Sequence, residues 1–301
     1  MADKSRGPSC EPPICDYEGS AYRTDFWEGQ GRDYEDLVER AALKRLLPVT
    51  GRRLLDVGAG FGRLADMYAG YEQVVLLDYS QSQLEYARGR LGDERFVYVA
   101  SNIYKIPLAS GAVDTAVMVR VLHHIAQVPL VLAQLGRVIR PGGALVLEFA
   151  NKRHAKNILR HLLGRGVNPF DPTPYEFAEL HFDFHPRWVN ERLTDAGLEV
   201  ERRLSVSLFR SPLLKRILPT SLLVEMDRRL QRLTAPLALG PSAFVLARRR
   251  GTSAAGEPVG SDALFRCPEC GHEPLVRRGS KIACQACARE WPVENGVYVF
   301  K

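Results

Sequence analysis

The 301-residue sequence contains no apolar run long enough to cross a bilayer, which excludes a membrane-spanning helix. Its first residues, Met1 to Pro13, are polar and rich in proline, with no apolar segment of the kind found in secretory signals. Internal repeats are absent too, so we do not expect a repeat architecture. These absences predict a cytoplasmic protein with no membrane partner. The length and the 46% of apolar residues suffice for one large domain and a small one.

Positive charge is concentrated in one third of the chain. The net charge is +6, yet residues 151–250 contain 18 Lys and Arg against 10 Asp and Glu, and the remainder has a slight excess of acids. A basic stretch of this kind can bind a phosphate-bearing partner such as RNA. Within it, residues 151–165 have five cations and no acid. Apolar residues at helical spacing in the same segment equally fit an amphipathic helix on the protein surface.

Short apolar runs alternate with helix-like segments from Arg53 onward. The expected strands are Leu54–Val57, Val74–Leu77, Phe96–Val99, Val113–Val119, Leu145–Phe149, Glu199–Leu208 and Ala243–Arg248. The expected helices include Asp33–Leu47, one that opens at Ser80, Pro129–Ile139, Asn151–Leu163 and one that opens at Pro186. This alternation predicts an α/β, doubly wound fold with a mostly parallel, seven-stranded, Rossmann-like sheet.

A glycine-rich turn follows the first expected strand, with glycines at positions 58, 60 and 62. Glycines let the backbone turn tightly and approach a ligand closely. The spacing differs from the dinucleotide fingerprint because the third glycine comes one residue early and an acid, Asp56, precedes the first by two. The second strand ends in Asp78, where a carboxylate can accept hydrogen bonds from ribose hydroxyls. These features favour a nucleoside ligand without a diphosphate, and an NAD enzyme or a decayed α/β domain is the alternative.

In these motifs the sequence resembles the class I methyltransferases, specifically the large group labelled type 11, over about residues 50–250. DVGAGFG, VVLLDYS and VASNIYKIPL are similar to the first three motifs of that family, and LGRVIRPGGALVLEF is similar to the segment around its fifth strand. The resemblance implies S-adenosylmethionine (SAM) as the methyl donor. It implies a cofactor site made of Asp56, Gly58, Gly60, Gly62, Asp78, Tyr79, Asn102, Ile103 and Arg120. The family usually has Asp at the position of Asn102, but an amide oxygen can still accept from the adenine amine.

Two adjacent histidines, His123 and His124, follow the fourth expected strand. Ligands of open α/β sheets lie at the carboxyl ends of the strands, so these side chains should lie near the transferred methyl group. Methyl transfer needs mainly alignment, and either histidine can act as the base that a hydroxyl acceptor requires. Packing or capping of a turn is the alternative role for each. We expect residues 1–32, which include four aromatic side chains, and the insertions 151–185 and 209–241 to cover the acceptor.

Four cysteines near the end of the chain form two Cys-x-x-Cys pairs: Cys267, Cys270, Cys284 and Cys287. The spacing predicts a structural zinc site of the zinc-ribbon kind, and two disulfides are the alternative. The tail resembles the small zinc-ribbon protein that activates several tRNA and protein methyltransferases. We therefore assign residues 33–250 to a methyltransferase domain, 251–263 to a linker and 264–301 to a zinc ribbon. The ribbon is expected to fold separately and can bind a protein partner.

The sequence thus predicts a SAM-dependent methyltransferase that acts on an O, N or C centre of a small or medium-sized acceptor. One alternative is an RNA methyltransferase with a fused ribbon, which the basic stretch suggests. Another is a non-catalytic SAM-fold scaffold that binds a protein partner. The intact glycine turn and Asp78 argue against the scaffold. No aromatic-and-basic RNA-binding module is evident, which argues against RNA.

Overall fold

The computed structural model describes residues 12–20, 23–27, 29–251 and 263–301. In these ranges the α-helices are α1 (Asp33–Leu46), α2 (Gln81–Leu91), α3 (Val128–Val138), α4 (Ala155–Leu162), α5 (Pro186–Asp195), α6 (Pro212–Ile217) and α7 (Thr220–Leu233). The strands are β1 (Gly51–Val57), β2 (Tyr71–Asp78), β3 (Phe96–Ser101), β4 (Val113–Met118), β5 (Ile139–Ala150), β6 (Tyr175–Ala178), β7 (His181–Asp183), β8 (Leu198–Val206), β9 (Ser242–Arg249), β10 (Val276–Arg278), β11 (Lys281–Ala283), β12 (Glu290–Glu294) and β13 (Val297–Phe300).

Buried strands and capped helices form where the sequence pattern placed them. The apolar run in β2 is buried on both faces, as a central parallel strand requires. Helix α2 begins after Ser80, whose hydroxyl accepts a hydrogen bond from the amide of Gln83 at 3.3 Å, so the predicted cap is present. Helix α3 begins with a proline in its first turn and buries an apolar stripe against the sheet. The local sequence pattern therefore correctly predicted these strands and helices.

The main sheet is larger than predicted. Its strand order is β10-β11-β12-β13-β3-β2-β1-β4-β5-β9-β8, so it has eleven strands in the described part of the chain. The seven expected strands are all present, but the prediction of a seven-stranded, mostly parallel sheet is wrong. Pairing is parallel from β13 to β5 and antiparallel elsewhere, which makes the sheet mixed. The Rossmann-like core itself, with helices on both faces, agrees with the prediction.

The four additional strands belong to the cysteine-containing tail. Strand β13 pairs in parallel with β3, in a register that places Val297 opposite Tyr98 and Phe300 opposite Ser101. An exposed edge strand carries unpaired amides and carbonyls, and β13 satisfies those of β3. The sequence suggested a ribbon set apart by a linker, whereas the structure joins the ribbon to the sheet edge. The linker itself lies largely in residues 252–262, outside the described residues.

Described residues from all three segments expected to cover the acceptor, among them Tyr17, Phe177 and Arg210, lie around the carboxyl ends of the central strands. The stretch between α4 and α5 contains the antiparallel hairpin β6–β7. At the N-terminus, the ring of Trp27 lies under two guanidinium groups, 3.9 Å from that of Arg63 and 4.8 Å from that of Arg120. Tyr22 and the side chain of Phe26 lie outside the described residues. Among the residues described, no helix is long and apolar enough to span a membrane.

Candidate functional site

The glycine-rich turn connects the end of β1 to a short helical turn and adopts a conformation that favours glycine. Gly58 has φ +71°, and a Cβ there would lie 2.2 Å from a methyl carbon of Val121. Gly60 has φ +51° and open space where a Cβ would project. The amide of Gly60 donates to Asp78 Oδ2 at 2.7 Å, and the amide of Ser80 donates to Oδ1 at 2.9 Å. The turn and the end of β2 are therefore tied together by the Asp78 carboxylate.

A first cavity opens at this point, and we refer to it as the cofactor cavity. Six of the nine predicted cofactor residues line it: Gly58, Gly60, Asp78, Tyr79, Ile103 and Arg120. Burial raises the pKa of Asp78, although hydrogen bonds from the amides of Ser80 and Gly60 oppose the shift. A buried carboxylate with amide donors already in place has lone pairs left for ribose hydroxyls. The cavity thus has the hydrogen-bond acceptor that the ribose of a nucleoside ligand needs.

The other three predicted cofactor residues do not line this cavity. Asp56 lies beneath the turn, accepts from Tyr68 Oη at 2.9 Å and has a pKa raised to about 7 by burial. A Cβ on Gly62 would lie 3.0 Å from Leu91, so that glycine permits packing of α2 against the turn. Asn102 Oδ1 accepts from the amide of Tyr104 at 2.9 Å and caps a short helical turn. These three residues therefore support the residues that line the cavity and do not line it themselves.

A second cavity of about 640 Å³ adjoins the first, and we refer to it as the acceptor cavity. Both are lined by Tyr17, Arg120 and His124. Four histidines line the acceptor cavity: His123, His124, His154 and His181. Its volume lies within the range of about 300–1,000 Å³ that is typical of small-ligand pockets. Because the shared residues form the boundary, a group transferred between the two cavities would pass beside them.

His124 is held in one orientation by two hydrogen bonds. Its Nδ1 lies 3.0 Å from the carbonyl oxygen of Leu180, and its Nε2 lies 3.3 Å from Tyr17 Oη. A carbonyl can only accept, so Nδ1 carries the proton and Nε2 is the acceptor. Burial lowers the pKa of His124, which keeps the ring neutral at neutral pH. The structure therefore presents an unprotonated ring nitrogen at the boundary between the two cavities.

His123 lies in a more enclosed position. Burial, together with the nearby charges of His124 and Arg120, lowers the pKa of His123 to about 2. Its ring centroid is 4.0 Å from that of His124. A ring with so low a pKa stays neutral throughout the physiological range and is a weak base. Sequence position alone did not distinguish the two histidines as candidate bases, whereas the structure places them in different environments.

Arg120 connects the two cavities to the N-terminal helix. Its backbone has φ +62°, uncommon for a residue with a side chain, and its amide donates to Glu148 at 2.8 Å. Its guanidinium donates to Glu39 at 2.8 Å. Burial would raise the pKa of Glu39, but the charges of Arg120 and Arg63 lower it below its usual value. The guanidinium is thereby held in place by a buried carboxylate.

Several residues of the acceptor cavity were not predicted individually as site residues, although most lie in the segments expected to cover the acceptor. They are Tyr17, Ser20, Asp25, Glu148, Ala150, Asn151, His154, Phe177, His181, Asp183, Arg210, Pro241 and Ser242. Burial raises the pKa of Asp183. The run 177–185 is rich in aromatic residues and histidines, and this composition predicted that the segment covers the acceptor. It did not indicate which of its side chains would line the cavity. Residues from five separate segments meet here, so no local pattern identifies them.

The four cysteine thiols of the tail converge on one point. Cys267 Sγ lies 3.7 Å from Cys287 Sγ, and Cys270 Sγ lies 3.5 Å from Cys284 Sγ. All four sulfur atoms lie within 4.8 Å of one another. Zn–S bonds of about 2.3 Å in a tetrahedron place sulfur atoms about 3.8 Å apart, whereas a disulfide would bring a pair to about 2.05 Å. The thiol arrangement therefore fits a four-coordinate zinc ion.

Comparison with known proteins identifies the class of the central region. Residues 55–147 match the family described as Methyltransferase domain. Over 153 residues the chain is 33% identical to the demethylmenaquinone methyltransferase of Clavibacter sepedonicus, covering 50% of this chain and 62% of that protein. The chain spans less than two thirds of the length of this relative and of a second curated relative from Mycolicibacterium smegmatis, to which it is 30% identical. The prediction of a methyltransferase domain is supported over residues 55–147 by these matches.

Solved structures share the fold. A candidate SAM-dependent methyltransferase from Listeria monocytogenes aligns with TM-score 0.54 and 18% identity over 72% of this chain and 99% of its own. A chain from the complex of the Haloferax volcanii Trm112 methyltransferase activator with its candidate methyltransferase aligns with TM-score 0.55 and 18% identity, over 77% of this chain and 97% of its own. At this identity the similarity shows the fold alone.

Proposed function

We propose that this protein is a SAM-dependent methyltransferase that transfers a methyl group to a small acceptor bound in the acceptor cavity. The observation that carries the proposal is the contact between two cavities. One is built from the glycine turn and Asp78, and the other is lined by four histidines. They meet at Tyr17, Arg120 and His124. The matched relatives include a demethylmenaquinone methyltransferase and a ubiquinone/menaquinone biosynthesis C-methyltransferase, which supports a small-molecule acceptor.

The chain's residues would act mainly by positioning. Bound SAM would supply a methyl group whose transfer leaves the bonding electron pair on sulfur. Gly58 and Gly60 would permit close approach of its methionine part, and Asp78 would accept from its ribose hydroxyls. Alignment of the acceptor with that methyl group accounts for most of the acceleration such a site can provide.

For an acceptor that must lose a proton, His124 is the better placed base. Its Nε2 is unprotonated, and the proton on Nδ1 is fixed by the Leu180 carbonyl. An acceptor hydroxyl or N–H that replaces Tyr17 Oη at Nε2 would hand its proton to that nitrogen as the new bond to carbon forms. His123 would then act on His124 by packing, since its own pKa is about 2.

The tail is proposed to hold one structural zinc ion through Cys267, Cys270, Cys284 and Cys287. The sulfur separations support this assignment, and the amide of Cys270 donates to Cys267 Sγ at 3.3 Å, as expected for a thiolate ligand. A segment this short gains much of its stability from such a metal. A cytoplasmic location and a protein partner for the ribbon stay predictions.

The proposal is tested by transfer of labelled methyl groups. The purified chain and methyl-labelled SAM are added to a lysate, and the RNA, protein and small-molecule fractions are counted. We expect label in the small-molecule fraction, and loss of it in Asp78→Ala. With the acceptor identified, His124→Gln should lower kcat by about 100-fold or more if a proton must leave, while His161→Gln, outside both cavities, should not. If label appears only in the RNA fraction, the proposal of a small-molecule acceptor is wrong. If no fraction contains label, the proposed methyltransferase activity is wrong.

A further inference from the structure

Helix α4 exposes its apolar side to solvent. None of its residues is buried, and Leu159, Leu162 and the following Leu163 are 60%, 73% and 65% exposed. Leu159, Leu162 and Leu163 lie on one side of the helix because residues three and four apart share a face. A surface helix normally turns such a stripe toward the core. In α4 the stripe has no partner in the described residues.

Other exposed apolar side chains lie near α4 around the mouth of the acceptor cavity. Phe170 contacts His161 of α4 edge-on, with ring centroids 6.0 Å apart. Helix α6 exposes Leu213 and Ile217, one turn apart, at 64% and 65%. The helices α4 and α6 begin directly after His154 and Ser211, and both His154 and Arg210 line the cavity. Both exposed stripes therefore start at the rim of one cavity.

The same helices have unpaired positive charge. Lys156 and Arg160 on α4, Arg165 three residues after it, and Arg216 on α6 are exposed, and none forms an ion pair within the described part of the chain. No acid occurs between residues 151 and 170 or between 202 and 224. An amphipathic helix with leucines on one face and cations on the other binds the interface of an anionic bilayer. Nucleic acid would use the cations but gains nothing from exposed leucines, and the Lys152 side chain is turned inward to the carbonyls of Asp171 and Thr173.

We propose that α4 and α6, with Phe170, form a docking surface for an anionic lipid bilayer and bring the mouth of the acceptor cavity to that surface. The sequence predicted no membrane partner because it has no spanning segment, and an interfacial helix needs none. Apolar side chains would enter the headgroup region while the cations contact lipid phosphates. This binding is independent of the proposed methyl transfer, since it uses no residue of the cofactor cavity.

Vesicle flotation with the full chain tests the proposal. The probes are vesicles of phosphatidylcholine alone and vesicles with one quarter phosphatidylglycerol. We expect binding to the anionic vesicles, weakened about tenfold or more when Leu159, Leu162 and Leu163 are all changed to Ser. The matched control changes Val49 and Leu130, which are exposed elsewhere at 87% and 49%, to Ser and should bind as the parent does.

Charge is tested separately. Replacing Lys156, Arg160 and Arg165 by Gln should weaken binding about fivefold for each cation and reduce its dependence on salt. Equal binding of the parent and of the leucine variant to anionic vesicles overturns the proposal. So does tight binding to duplex RNA that the leucine variant retains, or a dimer in solution that the leucine variant abolishes. If the parent chain binds anionic vesicles but transfers no methyl group, the proposed function is contradicted and the docking surface is not.

Discussion

The contact between the ribbon and the sheet predicts a shared unfolding transition, which Phe300→Ala would test. Phe300 is 4% exposed in β13, with ring centroids 5.2 Å from Phe265 and 5.4 Å from Trp291. Its backbone pairs with Ser101, which lines the cofactor cavity. The next residue, Lys301, places its ammonium 4.7 Å from the ring centroid of Tyr79. Loosening β13 should therefore affect both the ribbon and the cofactor cavity.

The size of the effect follows from burial. Truncating a fully packed Phe to Ala costs about 3–5 kcal/mol, because the transfer free energy is lost and a cavity remains. That is a large share of the 5–15 kcal/mol by which a typical domain is stable. The same truncation at Phe177, which is 54% exposed, should cost about 0.5 kcal/mol or less. Phe177→Ala is thus a matched control, because it removes the same phenyl ring from an exposed position.

The assay follows unfolding in denaturant with two signals. Circular dichroism reports the sheet, and release of zinc to a chromogenic chelator reports the ribbon. In Phe300→Ala we expect both signals to shift together, and calorimetry should show weaker SAM binding. The reasoning is refuted if zinc is released at lower denaturant while the dichroism transition and the SAM affinity match those of the parent. The ribbon would then be a separate unit, as its sequence suggested.

Three further predictions address single groups. Asp78→Ala should weaken SAM binding by about 1–3 kcal/mol in calorimetry, since ribose hydroxyls lose their acceptor, and an unchanged affinity would contradict the site. Elemental analysis should find one zinc per chain and well under one in Cys270→Ser, whereas two oxidised cysteine pairs without metal would overturn the assignment. Because the pKa of His123 falls from 6.5 to about 2 on folding, the unfolded chain binds the extra proton below about pH 6.5, so stability falls as pH falls. His123→Gln should reduce the slope of unfolding free energy between pH 6 and 4 by about 1.4 kcal/mol per pH unit, and an unchanged slope would show that this ring is protonated normally.

The sequence by itself determined the elements and the parts of the site that are contiguous along the chain. Buried apolar runs predicted the five strands β1 to β5, because a parallel strand between helices on both faces must be apolar along most of its length. The remaining two strands of the predicted seven, β8 and β9, were also present. The glycine turn and the Cys-x-x-Cys pairs were readable for a similar reason. In each, the chemistry requires particular residues at a fixed short spacing. Asn102 shows the limit of this reasoning, since its neighbours line the cavity while its side chain caps a turn.

Only the tertiary structure decided which distant segments meet. Tyr17 and His124 are 107 residues apart in sequence yet share a hydrogen bond, and no periodicity encodes that pairing. The partner of β13 was likewise undetermined, because any exposed strand edge offers the same amides and carbonyls and packing selects among them. The exposure of the α4 leucines was also decided by the tertiary structure. Their spacing predicts an apolar face, but whether the face is covered by the core or left at the surface depends on where the fold places the helix.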